Sequence, residues 1–175
     1  MTSGGSLFLD LATSTGWAYG VAGGRPSWGV WKLPGHISHG ASGAALETAL
    51  DDFIEQHRPS AMGYEAPLAA DQQTDATTAF VLIGLAFLVE TTAHRWSIPC
   101  RAYRSDMVRG AVIGRSKLTD DERQIRPKTN IKKAIVLPWV AQQGWAISEH
   151  DAADAAVGWA YMAGIRHPQF GKRKG

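Results

Sequence analysis

The stretch "LFLDLATSTGWAYG", Leu7 to Gly20, decides how the chain is read. Leu7, Leu9 and Leu11 alternate with Phe8, Asp10 and Ala12, the period of a β-strand whose two faces differ. One face is wholly apolar, and the other sets a carboxylate among small or apolar neighbours. An isolated buried carboxylate is costly even after its surroundings relax. Either that face is wet, or something cationic stands against Asp10. "ATSTG" then turns the chain, and "WAYGVA" and "SWGVWKL", joined by "GGRP", read as two more strands of an antiparallel meander.

Outward from the meander, the 44–57 segment carries Leu46, Leu50, Phe53 and Ile54 at helical spacing. "SAMGYEAP" is a strand ending at Glu65, with Pro67 stopping it. A long helix covers 74–96, apolar nearly all round, as expected of one buried on several sides. "IPCRAY" is a further strand, and "SDMVRGAVIG" a short helix with Ser105 as a plausible N-cap. "RSKLTDDERQIRPK" (115–128) reads as polar and irregular. "TNIKKAIVLPWVAQQG" is helical with a kink or break at Pro138, and "SEHDAADAAVGWAYMAG" is a last helix. One domain over 1–165 and a basic tail over 166–175 follow. A meander succeeded by βαβ crossovers implies an α/β fold: a mixed sheet with helices on both faces. If the first and fourth strands are parallel neighbours, Asp10 and Glu65 emerge at the same edge, where open α/β sheets bind ligands.

Composition narrows the class. With 45% hydrophobic and 19% charged residues, the 175-residue chain is globular and can bury a sizeable core. A single cysteine, Cys100, excludes an intrachain disulfide framework and a cysteine-only zinc site, and agrees with a cytoplasmic setting. No secretory signal is readable. The longest apolar run, Ala79 to Val89, is eleven residues, short for a bilayer span, so no membrane partner is expected. Charge is segregated: residues 1–94 balance to −6 and residues 95–175 to +8. Such asymmetry fits a half that faces a polyanion, or equally a solvated basic face.

"EHDAADAA" completes a carboxylate series. Asp151 and Asp154, spaced i and i+3, share one helix face, and the alanines around them let that helix lie close to a sheet. Asp10, Glu65, Asp151 and Asp154 with apolar neighbours would repel one another unless divalent cations neutralise them. Oxygen-only ligands suit Mg²⁺, with Mn²⁺ as substitute. Two such ions can activate a water and stabilise the leaving oxygen in phosphodiester hydrolysis. The plainer alternatives are that Ser148 to Asp151 forms a capping box and that Glu65 is an ordinary strand-end carboxylate.

"LDLATSTGWA", "GYEAP" and "HDAADAAVGWAY", in this order along nearly the whole chain, resemble the RuvC-type Holliday-junction resolvases of the RNase H-like nuclease superfamily. "YRSDMVRGAVIG" and "KTNIKKAI" are similar to that family's two basic helical segments. The resemblance implies an RNase H-like fold and a structure-specific endodeoxyribonuclease. Asp10, Glu65, Asp151 and Asp154 would be its catalytic metal ligands, with two Mg²⁺ ions per site. It implies Arg109 and Lys128 as contacts to junction phosphates, supported by Lys132, Arg115 and a lysine at position 118. Leu68 falls where the family often carries an aromatic wedge, and leucine cannot stack. The 116–127 insertion also departs from the compact pattern, as a phage or prophage relative would. His150 is expected as a helix-terminal histidine.

Three other readings compete. A YqgF-like nuclease acting on RNA shares the fold and the acidic series. An actin-like kinase would need two copies of the fold, more than 175 residues hold. A non-catalytic DNA-binding protein would be weakened by four intact carboxylates. The 77–96 helix is apolar on more faces than one sheet can cover, which marks an association surface. The resemblance makes it a homodimer seam, with paired symmetric nicks in a four-way junction.

Overall fold

Alternation along the first strand divides the molecule into two cores. The computed structural model describes residues 4–67, 76–125 and 132–168. Leu68 and Lys128 lie outside the described residues, as does the side chain of Lys132. Five strands form one sheet: β1 (Ser6–Asp10), β2 (Ser14–Gly20), β3 (Ser27–Lys32), β4 (Ala61–Glu65) and β5 (Cys100–Tyr103). Their spatial order is β3-β2-β1-β4-β5. The first three run antiparallel, and β1, β4 and β5 run parallel. This is the mixed sheet expected from the element order.

Leu7 and Leu9 enter one core with Leu46, Leu50, Phe53 and Ile54 of α1 (His39–His57). Leu85, Val89 and Ala93 of α2 (Ala76–Arg95) join the same core. Phe8 faces the opposite core, built from Val108 and Val112 of α3 (Ser105–Ile113) and the whole inner face of α6 (His150–Met162). Trp139 of α5 (Leu137–Gln142), Trp145 and Trp159 stack edge-on in that core at 5.5 and 5.8 Å.

Several boundaries depart from the sequence expectation for local reasons. Helix α1 starts at His39, earlier than its apolar spacing suggests, because Ser38 accepts the Ala41 N–H at 3.0 Å. The insertion holds a short helix, α4 (Asp120–Ile125). Thr119 and Glu122 cap it reciprocally: the Glu122 N–H donates to Thr119 Oγ1 at 3.3 Å, and the Thr119 N–H to Glu122 Oε2 at 2.8 Å. Pro138 stands in the first turn of α5, directly after a π-helical turn over Lys132–Val136. It breaks the helical register there because it has no N–H to donate.

At 20 residues and a mean hydropathy of 1.7, α2 is by length and composition able to cross a bilayer, more than the eleven-residue run suggested. Here it is a layer of the fold, with its Leu85–Val89–Ala93 face buried. Arg95 clamps it to α1 through Glu47 at 2.8 Å and Asp51 at 2.7 Å, and Trp96 Nε1 donates to Asp51 at 2.6 Å.

Candidate active site

Parallel pairing sets the first two carboxylates. Leu9 of β1 pairs with Tyr64 of β4, so Asp10 and Glu65, one residue on, end adjacent strands at the same level. They also share a face. Asp10 follows Phe8 in the alternation, and Glu65 follows Gly63, where a side chain would meet Phe8, Tyr103 and Met162 of α6. Both carboxylates therefore stand on the sheet face that α6 covers.

Small residues bring α6 down onto that face. Gly16, Ala18 and Gly20 alternate along β2, and Ala152, Ala153, Ala155 and Ala156 are all buried on the helix. Gly16 is the antiparallel partner of Asp10. A Cβ at Gly16 would run into the Asp151 carbonyl, one at Gly20 would meet the Trp159 ring at 2.9 Å, and one at Gly158 would strike the Phe8 ring. The first turn of α6 thus passes beside Asp10, and its positive dipole end favours negative charge there. Asp151 sits half-buried in that turn, and Asp154 one turn later is buried, its side chain only 3% exposed. Asp10 is similarly buried, whereas Glu65 keeps 28% of its side chain exposed. Three of the four expected carboxylates thus gather at one end of the sheet under α6, with Asp151 on the near turn.

The plainer alternative, a capping box from Ser148 to Asp151, is not how α6 begins. The N-cap is Glu149, with no side-chain hydrogen bond capping the helix. His150 opens the helix as expected, and its Nδ1 is buried without a hydrogen-bond partner among the described residues.

Arg109 is placed differently from the phosphate contact that the resemblance implied. It shares the buried face of α3 with Val108 and Val112, and its side chain is 11% exposed. Its Nη2 donates to Asp154 Oδ1 at 3.1 Å and lies 3.9 Å from Glu65 Oε2. For Asp154 and Glu65 the neighbouring cation is this guanidinium. The sequence carried a signal for it: Arg109 lies in register with Val108 and Val112, the apolar stripe of its helix. Arg115, half-exposed, is already paired with Glu122 at 2.8 Å, and that guanidinium holds the Glu122 carboxyl below the usual range.

The lysine expected at position 118 is not there. Residue 118 is Leu118, a half-buried apolar side chain with no charge to offer a phosphate. The lysine of "SKL" is its neighbour Lys117, which is exposed.

The donor chemistry fits a hard divalent cation, since carboxylate oxygens are the ligands Mg²⁺ and Mn²⁺ select. Among the described residues, no three such side chains already converge on one metal-sized point. Arg109 reaches two of the carboxylates instead.

No family model matches the chain, and no curated protein sequence matches it. Solved structures do. The fold is similar to that of Thermus thermophilus RuvC, with a TM-score of 0.61 and 16% identity, over 93% of this chain and 98% of that one. Thermus thermophilus RuvC in complex with a Holliday junction substrate gives a TM-score of 0.66 at 14% identity over the same shares. The yeast mitochondrial Holliday junction resolvase Ydc2 gives 0.52 at 11% identity, over 93% of this chain and 80% of that one. The class is therefore that of an RNase H-like mixed sheet. Within that class, the chain has the fold of the RuvC-type resolvases.

Proposed function

We propose that this chain is a metal-dependent endonuclease that cuts branched DNA, with the four-way junction as its principal substrate. One observation carries the reading. Asp10 and Glu65 end neighbouring parallel strands on the face where α6 delivers Asp154, and this occurs on a fold shared with junction resolvases. Asp10, Glu65 and Asp154, with Asp151 beside them, would hold the ions. When bound, the metal activates water and steadies the leaving oxygen. The chain's own part is to hold these oxygens in place. Burial and close α6 packing fix Asp10 and Asp154, while Glu65 stays open toward the substrate side. The basic residues of the second half, Lys117 and Lys128 among them, supply charge along the phosphate backbone.

The test is cleavage of labelled four-way junction, flap, duplex DNA and structured RNA with Mg²⁺ or EDTA. Asp10→Asn and Asp154→Asn should abolish cutting and leave junction binding in EDTA intact. Mg²⁺-dependent cutting retained by Asp10→Asn would remove the assignment. Preferential cutting of the RNA would favour the YqgF-like reading.

The same reading includes a homodimer through α2. Phe80, Ile83 and Phe87 are 69%, 54% and 65% exposed and follow one another at helical spacing. A two-fold pair would match the symmetry of a four-way junction and place one site on each of two opposed strands. Sedimentation should show a dimer that Phe87→Glu converts to monomer, and strand mapping should show paired symmetric nicks. A wild-type monomer that nicks without symmetry would leave a nuclease but not a paired resolvase.

A further inference from the structure

We propose that Arg109 is a resident counter-cation of the acidic site. Its guanidinium holds the metal's place in the metal-free protein and competes with a divalent cation for Asp154 and Glu65. The inference rests on the metal-dependent reading above and deepens it.

Burial comes first. Arginine is almost never buried unless paired, and Arg109 is buried at the one end of the sheet where carboxylates collect. A single nitrogen, Nη2, serves both partners, at 3.1 Å from Asp154 and 3.9 Å from Glu65. Space comes next. The hollow lined by Phe8, Glu65, Tyr103, Arg109, Asp154 and Val157 leaves room for about one water beside the guanidinium. Mg²⁺ usually retains several of its waters, so a guanidinium in this position and a hydrated ion cannot share the hollow.

Charge completes the argument. Arginine stays protonated at any working pH, so the metal-free site keeps a cation in a region of low dielectric, where unpaired carboxylates would repel strongly. Metal uptake must then break an existing charge-assisted bond, which lowers apparent affinity. Once displaced, the guanidinium remains tethered at the rim of the site, where a substrate phosphate would lie. That second position reconciles its inward contacts with the phosphate contact implied by the sequence resemblance.

Mn²⁺ titration of the full chain, read by the electron spin resonance of free Mn²⁺, tests the competition. Arg109→Gln should bind Mn²⁺ with at least tenfold lower Kd than wild type, about 1.4 kcal/mol. Its metal-free melting temperature should fall, and its gain on Mn²⁺ saturation should exceed that of wild type. Affinity equal to or weaker than wild type in Arg109→Gln would overturn the proposal. If that variant does not fold, wild type alone decides: the Arg109 side-chain N–H resonance should lose its protection from exchange as Mg²⁺ is added. An unchanged resonance at saturating Mg²⁺ would refute the displacement. A wild-type chain that takes up no Mn²⁺ fails differently, by removing the metal reading on which the inference stands.

Discussion

Replacing Gly16 with alanine inserts one methyl group between β2 and the first turn of α6. The new Cβ would run into the Asp151 carbonyl and come within 2.8 Å of the Ala152 nitrogen. These are backbone atoms, so no rotamer change relieves the overlap, and strand or helix must shift by on the order of 1 Å to restore ordinary contact. Overpacking of this kind costs about 1–3 kcal/mol. For a domain of this size, that lowers the melting temperature by roughly 2–12 °C. The chain should remain folded at 25 °C, because typical stabilities exceed that loss. Cleavage should suffer more. A misplacement of about 1 Å between reacting groups can cost about 100-fold in rate, and the shift falls on the helix that carries Asp151 and Asp154. Thermal melts paired with junction cleavage at saturating Mg²⁺ measure both. The control is Gly40→Ala in α1, where the nearest atom to the new methyl is Ser38 Oγ at 3.9 Å; it should be neutral or stabilising by up to about 1 kcal/mol. Gly16→Ala with wild-type melting and wild-type cleavage would show that α6 does not rest on β2 as described.

Trp159→Phe removes a fully buried indole whose Nε1 donates to the Gly20 carbonyl at 3.0 Å. An unsatisfied carbonyl and a small cavity should together cost about 2–4 kcal/mol in urea unfolding. Burial first, and Glu90 second, push the Cys100 thiol up to about 11. The neutral thiol is the stabilised form, so its contribution is complete below pH 9 and is lost as pH rises through about 11. Alkylation of the folded chain at pH 8 should accordingly be far slower than of the unfolded chain, and equal rates would contradict the burial. Lys128→Ala should flatten the salt dependence of junction binding by roughly one unit. Arg115→Ala should change it less, because Glu122 already shares that charge, and equal slopes for the two variants would refute this ranking.

Features set by short-range chemistry were readable in the chain; features set by contacts across the fold were not. The leucine alternation of β1, the stop at Pro67 and the alanines of α6 each point to one geometry, and the element order pointed to a mixed sheet, with the parallel pairing of β1 and β4 still conditional. That Asp10 and Glu65 end adjacent strands on the face α6 covers followed from two parallel strands and one close helix. The cap at Ser38 was hidden in a stretch rich in glycine and histidine that reads as loop. "TDDE" (119–122) is a capping box that the polar character of the insertion masked. "SEHD" (148–151) fits the same pattern, yet the N-cap of α6 falls at Glu149, whose side chain makes no capping bond. The inward turn of Arg109 depends on Asp154, 45 residues away, and no local pattern states which acid will face it.

The two-sided burial of β1 also acts as a form of quality control. A slip of one residue in strand register exchanges the faces of every side chain. Such a slip would drive the Asp10 carboxylate among Leu46, Leu50 and Val89, and Leu9 out toward the acidic end. A chain folded in the wrong register would therefore be unstable for the same reason that it would be inactive. Stability alone filters out molecules whose carboxylates are misplaced, so a folded copy of this protein is one in which Asp10 faces α6.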